Sequence, residues 1–437
     1  MEKQGDALFC TLEPQSRKLS LARITVKQAH VNALYRQALS RHQLHVQARG
    51  FARGSTPVAY LELTYKAYIL EHLKEFLLNH CVINFLCQEL TRQHVVVVGD
   101  PTLFQVSLTP DRDAEFVFRC SQLPITVEQD WRRINFKIPG RRNYKDLDRQ
   151  VDLFIREESS LEAKAARAAP ATVGDWICFS IMVVDHESHV PLFETADEHE
   201  LLWLKIGRED TDREAQLLFC GKSVGDAFIS ASNYLQRYFS KQLDTDYAFL
   251  VTIRSIVPVA YFSFDALRRH FSLTPRDSIN RELVSVFSTR NDITLRRELV
   301  EATFRAIFKK IPIWVPEELV RHQEEYLLRE VQRTPDYPVY RLQKDFRAKI
   351  SALAEKQLRE ALMVDHIGQR EVIMADDADV ESYLSMLQRP RTKEFIYFDL
   401  PVTQVNGQEQ PLPLGIVKQA CLREKVLNSV ITALTRH

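Results

Sequence analysis

Glycine supplies the backbone conformations that tight turns and phosphate-cradling loops require, and this chain has 12 of them in 437 residues. That is under half the usual share of about 7%. So sparse a supply disfavours folds assembled from many tight turns. Neither G-x-x-x-x-G-K-[ST] nor G-x-G-x-x-G occurs, and both motifs hold phosphate on glycine backbone. Nucleotide-binding classes therefore lose their basis, and no cofactor is expected. Val95-Val96-Val97-Val98-Gly99-Asp100 begins like a dinucleotide-binding strand, but no second glycine follows. It reads as a buried strand.

Two glycines stand four apart, in Gly50-Phe51-Ala52-Arg53-Gly54-Ser55-Thr56-Pro57. The segment separates a basic amphipathic stretch, Val26 to Val46, from a long apolar-periodic one, Val58 to Leu90. The glycines permit a tight exposed loop that holds Phe51 and Arg53 outward as an aromatic and a cation. Pro57 suits the first turn of the following helix. Local chemistry alone leaves two readings even: a plain helix–helix connection, or a tip that docks on a partner.

Formal net charge is zero, but the charge is unevenly laid out. Residues 1–60 hold nine Lys/Arg against three Asp/Glu, and residues 185–215 hold ten acids against three bases. A basic end points to a polyanionic partner such as RNA, against the plainer reading of solvated helix faces. The seven cysteines form no C-x-x-C pair, which implies neither a zinc site nor a redox motif. They read as buried thiols in a reducing compartment. His186 and His189 lie in an acidic turn without further ligands at a sensible spacing, so no metal is expected. His42 and His45 add to the basic stretch. The start MEKQGDALF lacks an apolar core of signal-peptide length, and no apolar run reaches 18 residues. The expected location is the cytoplasm, with no membrane partner.

Four regions separate by pattern. Ser20–Thr25 alternates like a strand, Val26–Gln47 reads as a helix with a cationic face, and helices follow through Leu90. Val95–Val98 and Ala114–Cys120 close this α+β region as strands. Ile134–Pro139 is extended, Asp146–Arg167 is a charged helix, and Ala165–Thr172 is a breaker. Strand character then dominates 173–257, in Trp176–Val184, Leu202–Ile206 and Phe249–Ile253. From Phe262 helices take over. Phe346, Ile350, Ala354, Leu358 and Ala361 mark one, and Val380, Tyr383, Leu384 and Leu387 mark another, with Asp376 or Asp377 as its cap. Eight prolines between Pro312 and Pro413 break these helices too widely for one tight bundle. An extended body with arms is the expected form.

This order of parts, with its G-F-x-x-G-x-x-P loop, resembles bacterial trigger factor, the chaperone that meets nascent chains at the ribosomal exit tunnel. The resemblance spans nearly the whole chain. It implies an α+β multidomain protein: an N-terminal ribosome-binding domain (1–124), a linker (125–172), a small antiparallel β-rich FKBP-like domain (173–257) and an elongated helical client-binding domain with arms (258–437). It places ribosome contact on Gly50, Phe51, Arg53, Gly54 and Pro57, with an exit-tunnel protein and rRNA as partners. The family loop usually reads G-F-R-x-G-K-x-P. Ala52 and Ser55 stand here in place of two cations, and each lost cation weakens binding to phosphate in a salt-dependent way.

The β-rich segment resembles an FKBP-like peptidyl-prolyl isomerase. Val173-Gly174-Asp175 matches the family's opening, Phe193-Glu194 its F-E step, and Gly207 to Gly221 its separation between flap strand and turn. Gly225-Asp226-Ala227-Phe228 continues the match. Such enzymes desolvate the X–Pro amide in an aromatic-lined pocket. The family's pocket floor is an apolar V/I-P-G-F/W step; Asp212-Arg213-Glu214-Ala215 stand there in this chain. Phe193, Tyr238 and Phe249 remain as candidate pocket walls, each of them equally a core residue. Isomerase activity is accordingly expected to be weak or absent.

The resemblance makes the C-terminal region the main client-binding body for unfolded nascent polypeptides, and it admits a homodimer when the protein is free. Candidate cradle residues are Phe304, Phe308, Ile313, Trp314, Leu319, Tyr326 and the stripe Tyr383, Leu384 and Leu387. Three functions remain in view: an ATP-independent ribosome-associated chaperone, an active isomerase with an altered pocket, and a helical scaffold without ribosome contact.

Overall fold

The computed structural model describes residues 8–16, 19–93, 95, 97, 101–121, 130–137, 149, 152, 153, 156, 170–184, 189, 190, 200–239, 248–259, 268–271, 294–313, 315–393, 395–405 and 407–435. The chain divides into two compact units, each assembled from separated stretches. The first contains Met1–Leu123, Ala165–Val259 and Leu400–Val417; the second contains Pro124–Lys164, Ala260–Asp399 and Lys418–His437. These units cut across the linear division at 124, 172 and 257.

The first unit begins with an antiparallel sheet of β1 (Leu8–Ser16), β2 (Leu19–Val26), β3 (Thr102–Ser107) and β4 (Ala114–Ser121), in the order β1-β2-β4-β3. Ser20, Ala22, Ile24 and Val26 of β2 all face inward, the period-2 alternation of a half-buried strand. Helix α1 (Gln28–His45) buries Val31, Leu34, Tyr35, Ala38 and Leu39, a stripe at i, i+3, i+4, i+7 and i+8. After the glycine loop, α2 (Val58–Leu77) passes through a π turn (Leu78–Val82) into α3 (Ile83–Arg92). The expected strand Val95–Val98 lies largely outside the described residues; Val95 and Val97 are half-buried. The helix expected at Asp146–Arg167 likewise lies mostly outside them.

A second antiparallel sheet carries the β-rich domain. Its strands are β5 (Trp176–Val184), β6 (Glu200–Lys205), β7 (Ala227–Ser230) and β8 (Ala248–Val257). A 3-10 turn (Asp210–Asp212) leads into α4 (Arg213–Phe219) between β6 and β7, and α5 (Asn233–Phe239) precedes β8. Phe219 is fully buried, with its ring 4.8 Å from that of Phe179 and 6.5 Å from that of Phe228. One aromatic on a two-turn helix thus pins α4 to the sheet. Gly174 takes φ 101°, and the carboxylate of Asp175 accepts bonds from Thr172 N–H (2.8 Å), Thr172 Oγ1 (2.9 Å) and Val259 N–H (2.7 Å). That side chain ties the entry of the domain to its exit.

In the second unit, α6 (Thr294–Lys310), α7 (Glu317–Gln332), the short α8 (Tyr337–Tyr340) and α9 (Phe346–Arg370) precede α10 (Asp377–Leu387) and α11 (Pro390–Lys393). Asp376 caps α10 in a reciprocal capping box with Asp379. The segment that follows returns to the first unit with two short strands, β9 (Gln404–Val405) and β10 (Gln408–Glu409), and then β11 (Leu412–Pro413). Strand β11 joins the edge of the second sheet, whose order is β11-β6-β5-β8-β7. The last helix, α12 (Leu414–Thr435), supplies Val426, Leu427 and Val430 to the helical core.

Candidate functional site

The loop between α1 and α2 has the geometry its glycines imply. Gly50 and Gly54 take φ 93° and 80°, the left-handed region that costs an L side chain roughly 1–2 kcal/mol. Phe51 N–H donates to Ala48 O at 3.1 Å and Ser55 N–H to Ala52 O at 3.0 Å, so two successive turns shape the tip. Thr56 is buried, and its carbonyl accepts from Gln43 Nε2 of α1 at 2.7 Å, which fixes the base of the loop. Between these anchors Phe51, Arg53 and Pro57 are exposed. The Phe51 ring lies 5.3 Å from that of Tyr60, which gives the tip a small aromatic platform.

One of the two departures from the family loop has a local use. Ser55 Oγ donates to Ala52 O at 2.7 Å. Ser55 therefore tightens the turn.

On the helical hairpin that carries the loop, Arg36, Arg49 and Lys66 are exposed, as are Leu44, Val58, Leu63 and Tyr68. Leu63 is 87% exposed. The sequence reading missed this apolar component because α2 is apolar on several faces, which hides the outward one. It also misplaced His42. That imidazole is buried, 4.7 Å from the Tyr65 ring and 5.7 Å from that of Tyr68, and adds nothing to the basic face.

Of the three candidate pocket walls, the side chain of Phe249 is the one among the described residues. Phe249 is fully buried in β8, paired between β5 and β7, and is a core side chain. Tyr238 belongs to α5, and Phe193 lies outside the described residues. At the expected floor, Asp212 and Ala215 are fully buried, while Arg213 is exposed. Asp212 Oδ1 accepts the Glu409 N–H at 2.8 Å, and a Cβ on Gly207 would fall 1.7 Å from Oδ2. A carboxylate folded onto a glycine fills the place of the apolar floor.

The cradle candidates divide by burial. Phe304, Ile313, Tyr383 and Leu384 are buried; Phe304 lies 5.7 Å from Phe308 in a stacked pair, and Tyr383 Oη donates to Phe398 O at 2.6 Å. These four build the helical core and offer nothing to a client in this structure. Leu319 and Leu387 are half-buried, Tyr326 is 37% exposed, and Trp314 lies outside the described residues. The pair α7 and α9 has a thin core of Leu327, Ile350 and Ala354, flanked by Val320, Leu328, Val331 and Phe346. Around it Val339, Tyr340, Leu342 and Leu353 are exposed, Leu342 by 80%. The 3.6-residue pattern could not find the first three, because they sit in the turn region between helices.

Two family models match the chain: "Bacterial trigger factor protein (TF)" over residues 11–152 and "Bacterial trigger factor protein (TF) C-terminus" over residues 278–432. The chain belongs to the bacterial trigger factor family. The trigger factor of Desulfosudis oleivorans is 21% identical over 458 residues, covering 98% of this chain and 96% of that one. That of Desulfatibacillum aliphaticivorans is 21% identical over 442 residues, covering 96% and 97%. A solved structure reported as "Promiscuous Substrate Recognition in Folding and Assembly Activities of the Trigger Factor Chaperone" covers 97% of this chain and 99% of its own at 14% identity, with a TM-score of 0.38. The glycine loop falls inside the trigger factor N-terminal match, and the arm formed by α7 and α9 falls inside the C-terminal one. Among the described residues no helix is long and apolar enough to cross a membrane, and no group of three or more metal-ligating side chains occurs.

Proposed function

We propose that this protein is an ATP-independent chaperone that docks at the ribosomal exit region through the Gly50–Pro57 loop and shields unfolded segments of nascent chains on its helical body. The observation that carries the reading is the loop itself: two left-handed glycines and a buried Thr56 present Phe51 and Arg53 at the end of a helical hairpin. Exposed Arg36, Arg49 and Lys66 extend the cationic face toward phosphate, and Leu63 offers apolar contact to a ribosomal protein.

Ribosome pelleting across a salt series tests this. Changing Phe51, Arg53 and Gly54 together to Ala should abolish co-sedimentation, and Arg53→Ala alone should lower the log–log salt slope by about 0.7–0.9. Undiminished co-sedimentation of the triple variant removes the loop from the docking site.

Proline isomerisation is proposed to be weak or absent. The support is the carboxylate of Asp212 where an apolar floor is needed, together with the burial of Phe249. A protease-coupled proline-peptide assay should show turnover near the uncatalysed rate, and robust catalysis would restore the enzyme reading.

A further inference from the structure

The β-rich domain is already in contact with a peptide, a segment of its own chain. Residues 403–413 reach it from the far end of the sequence. Strands β9 and β10 form a hairpin, Val405 paired with Gln408 and Gln404 with Glu409, closed by Gln410 N–H on Thr403 O at 2.9 Å. Leu412 and Pro413 then pair with Trp203 and Leu202 at the edge of β6. A proline in a strand is tolerated at such an edge, where its missing N–H faces away from the ladder.

The domain's side-chain hydrogen bonds to this segment all go to main chain, while the side chains of Glu409, Pro411 and Leu412 are buried. Thr211 Oγ1 donates to Gly407 O at 2.6 Å, Asp212 Oδ1 accepts from Glu409 N–H at 2.8 Å, and Tyr234 Oη donates to Glu409 O at 2.9 Å. All three side chains end on backbone atoms. The Glu409 side chain turns back on its own hairpin, its Oε1 accepting from Gln404 Nε2 at 2.9 Å. Asp212 is fully buried yet bonds the segment through one oxygen, while Oδ2 has no hydrogen-bond partner and Glu409 Oε2 has none either. A fold that needed Asp212 only for its own helix would satisfy that carboxylate internally. This one aims it at a strand from elsewhere in the chain, and Gly207 is the residue whose lack of a side chain lets it lie there.

We propose that Thr211, Asp212, Tyr234 and the edge of β6 form a peptide-strand receptor, and that residues 403–413 are its resident ligand. The ligand class is a peptide that forms a tight hairpin with glycine at its turn, where Gly407 takes φ 78°, followed by an extended edge strand that tolerates proline. Backbone recognition with an added edge strand is strand augmentation, in which main-chain bonds supply affinity and buried side chains, here Leu412, supply selectivity. The segment therefore holds the site closed to other peptides in the manner of an autoinhibitor.

The experiment uses the full chain with residues 404–413 replaced by a Gly/Ser stretch of equal length. A fluorescein-labelled synthetic peptide spanning residues 403–414 should bind this variant in trans by anisotropy, and should bind wild type at least about tenfold more weakly, since the resident segment competes at high effective concentration. A peptide that keeps Gly407, Pro411, Leu412 and Pro413 but permutes the other residues should bind within about threefold. Asp212→Ala, and separately Gly207→Ala, placed in the replaced background should each weaken binding by about tenfold or more, as loss of a hydrogen bond to a charged group does. Hydrogen exchange of the β5 and β8 amides is read on every variant. If the replaced variant keeps that protection and does not bind the peptide, or if wild type binds equally well, the receptor does not exist. If the β5 and β8 amides of the replaced variant exchange as in an unfolded chain, residues 403–413 are an integral part of the domain's fold and the ligand reading is equally overturned.

Discussion

Glu424 shows how one buried charge can be held by the residues around it. It is 1% exposed, and its Oε2 accepts the N–H groups of Tyr397 and Phe398, both at 3.0 Å. Its Oε1 faces His270 Nε2 at 3.5 Å and Arg296 Nη2 at 3.7 Å. Burial pushes this carboxyl up, but His270, Arg296 and the Phe398 N–H outweigh it and hold the group below its ordinary value. Because the folded value is the depressed one, the contribution is complete above the unfolded value of about 4.3 and is lost as pH falls through the folded value. Glu424→Gln should therefore cost about 3–5 kcal/mol at pH 7, the usual consequence of stripping one partner from a buried network. Denaturant titrations should show that gap narrowing at acid pH, and a gap constant from pH 7 to pH 3 would contradict the assignment. Thiol chemistry follows the same logic of burial. Cys10 and Cys120 are pushed up to about 11 and Cys421 higher still, each chiefly by desolvation, whereas Cys87 is exposed. Native-state titration with a thiol reagent should modify Cys87 first and Cys120 and Cys421 only on unfolding.

Among the elements, α7 and α9 form an arm with a small core for its surface. Leu327, Ile350 and Ala354 are its buried residues, while Val339, Tyr340 and Leu342 between the helices are 64%, 41% and 80% exposed. Side chains so placed contribute little to folding, because their environment barely changes between folded and unfolded chain. They are well placed to bury apolar surface against a client. Replacing all three by Ser should leave thermal stability within about 0.5 kcal/mol per site and markedly reduce suppression of aggregation of an unfolded client. A large drop in melting temperature, or unchanged suppression, would argue against a client surface here. The same contrast explains which elements could be read in advance. Strand β5 shows as Trp176–Val184 because it is buried on both faces, and α10 because its apolar stripe follows a capping aspartate. Strand β3 did not, since its residues are exposed or half-buried and its apolar content follows no period. Strand β11, two residues long with a proline at Pro413, carries no local signal at all; only its partner Leu202-Trp203 makes it a strand.

The whole molecule is less divisible than a linear sequence of domains implies. The loop signature Gly50–Pro57 and the order of regions were legible because glycine, proline and hydrophobic period act locally. The return of residues 400–417 to the first unit was not, since it depends on Asp212, Thr211 and Tyr234 meeting backbone nearly 200 positions away. This matters for the simplest test of where clients bind. Ending the chain at residue 257 removes the helical unit, but it also removes β11 from the second sheet and the N–H that Asp212 accepts. A carboxylate left buried without that donor costs about 1–3 kcal/mol or more. The shortened chain should therefore lose aggregation suppression and also unfold at a lower denaturant concentration, the second effect confined to the β-rich domain. Adding the synthetic peptide of residues 403–414 should restore protection of β6 amides to hydrogen exchange without restoring suppression. If the peptide rescued suppression as well, the client surface would lie in the first unit and the helical arm would not be needed for it.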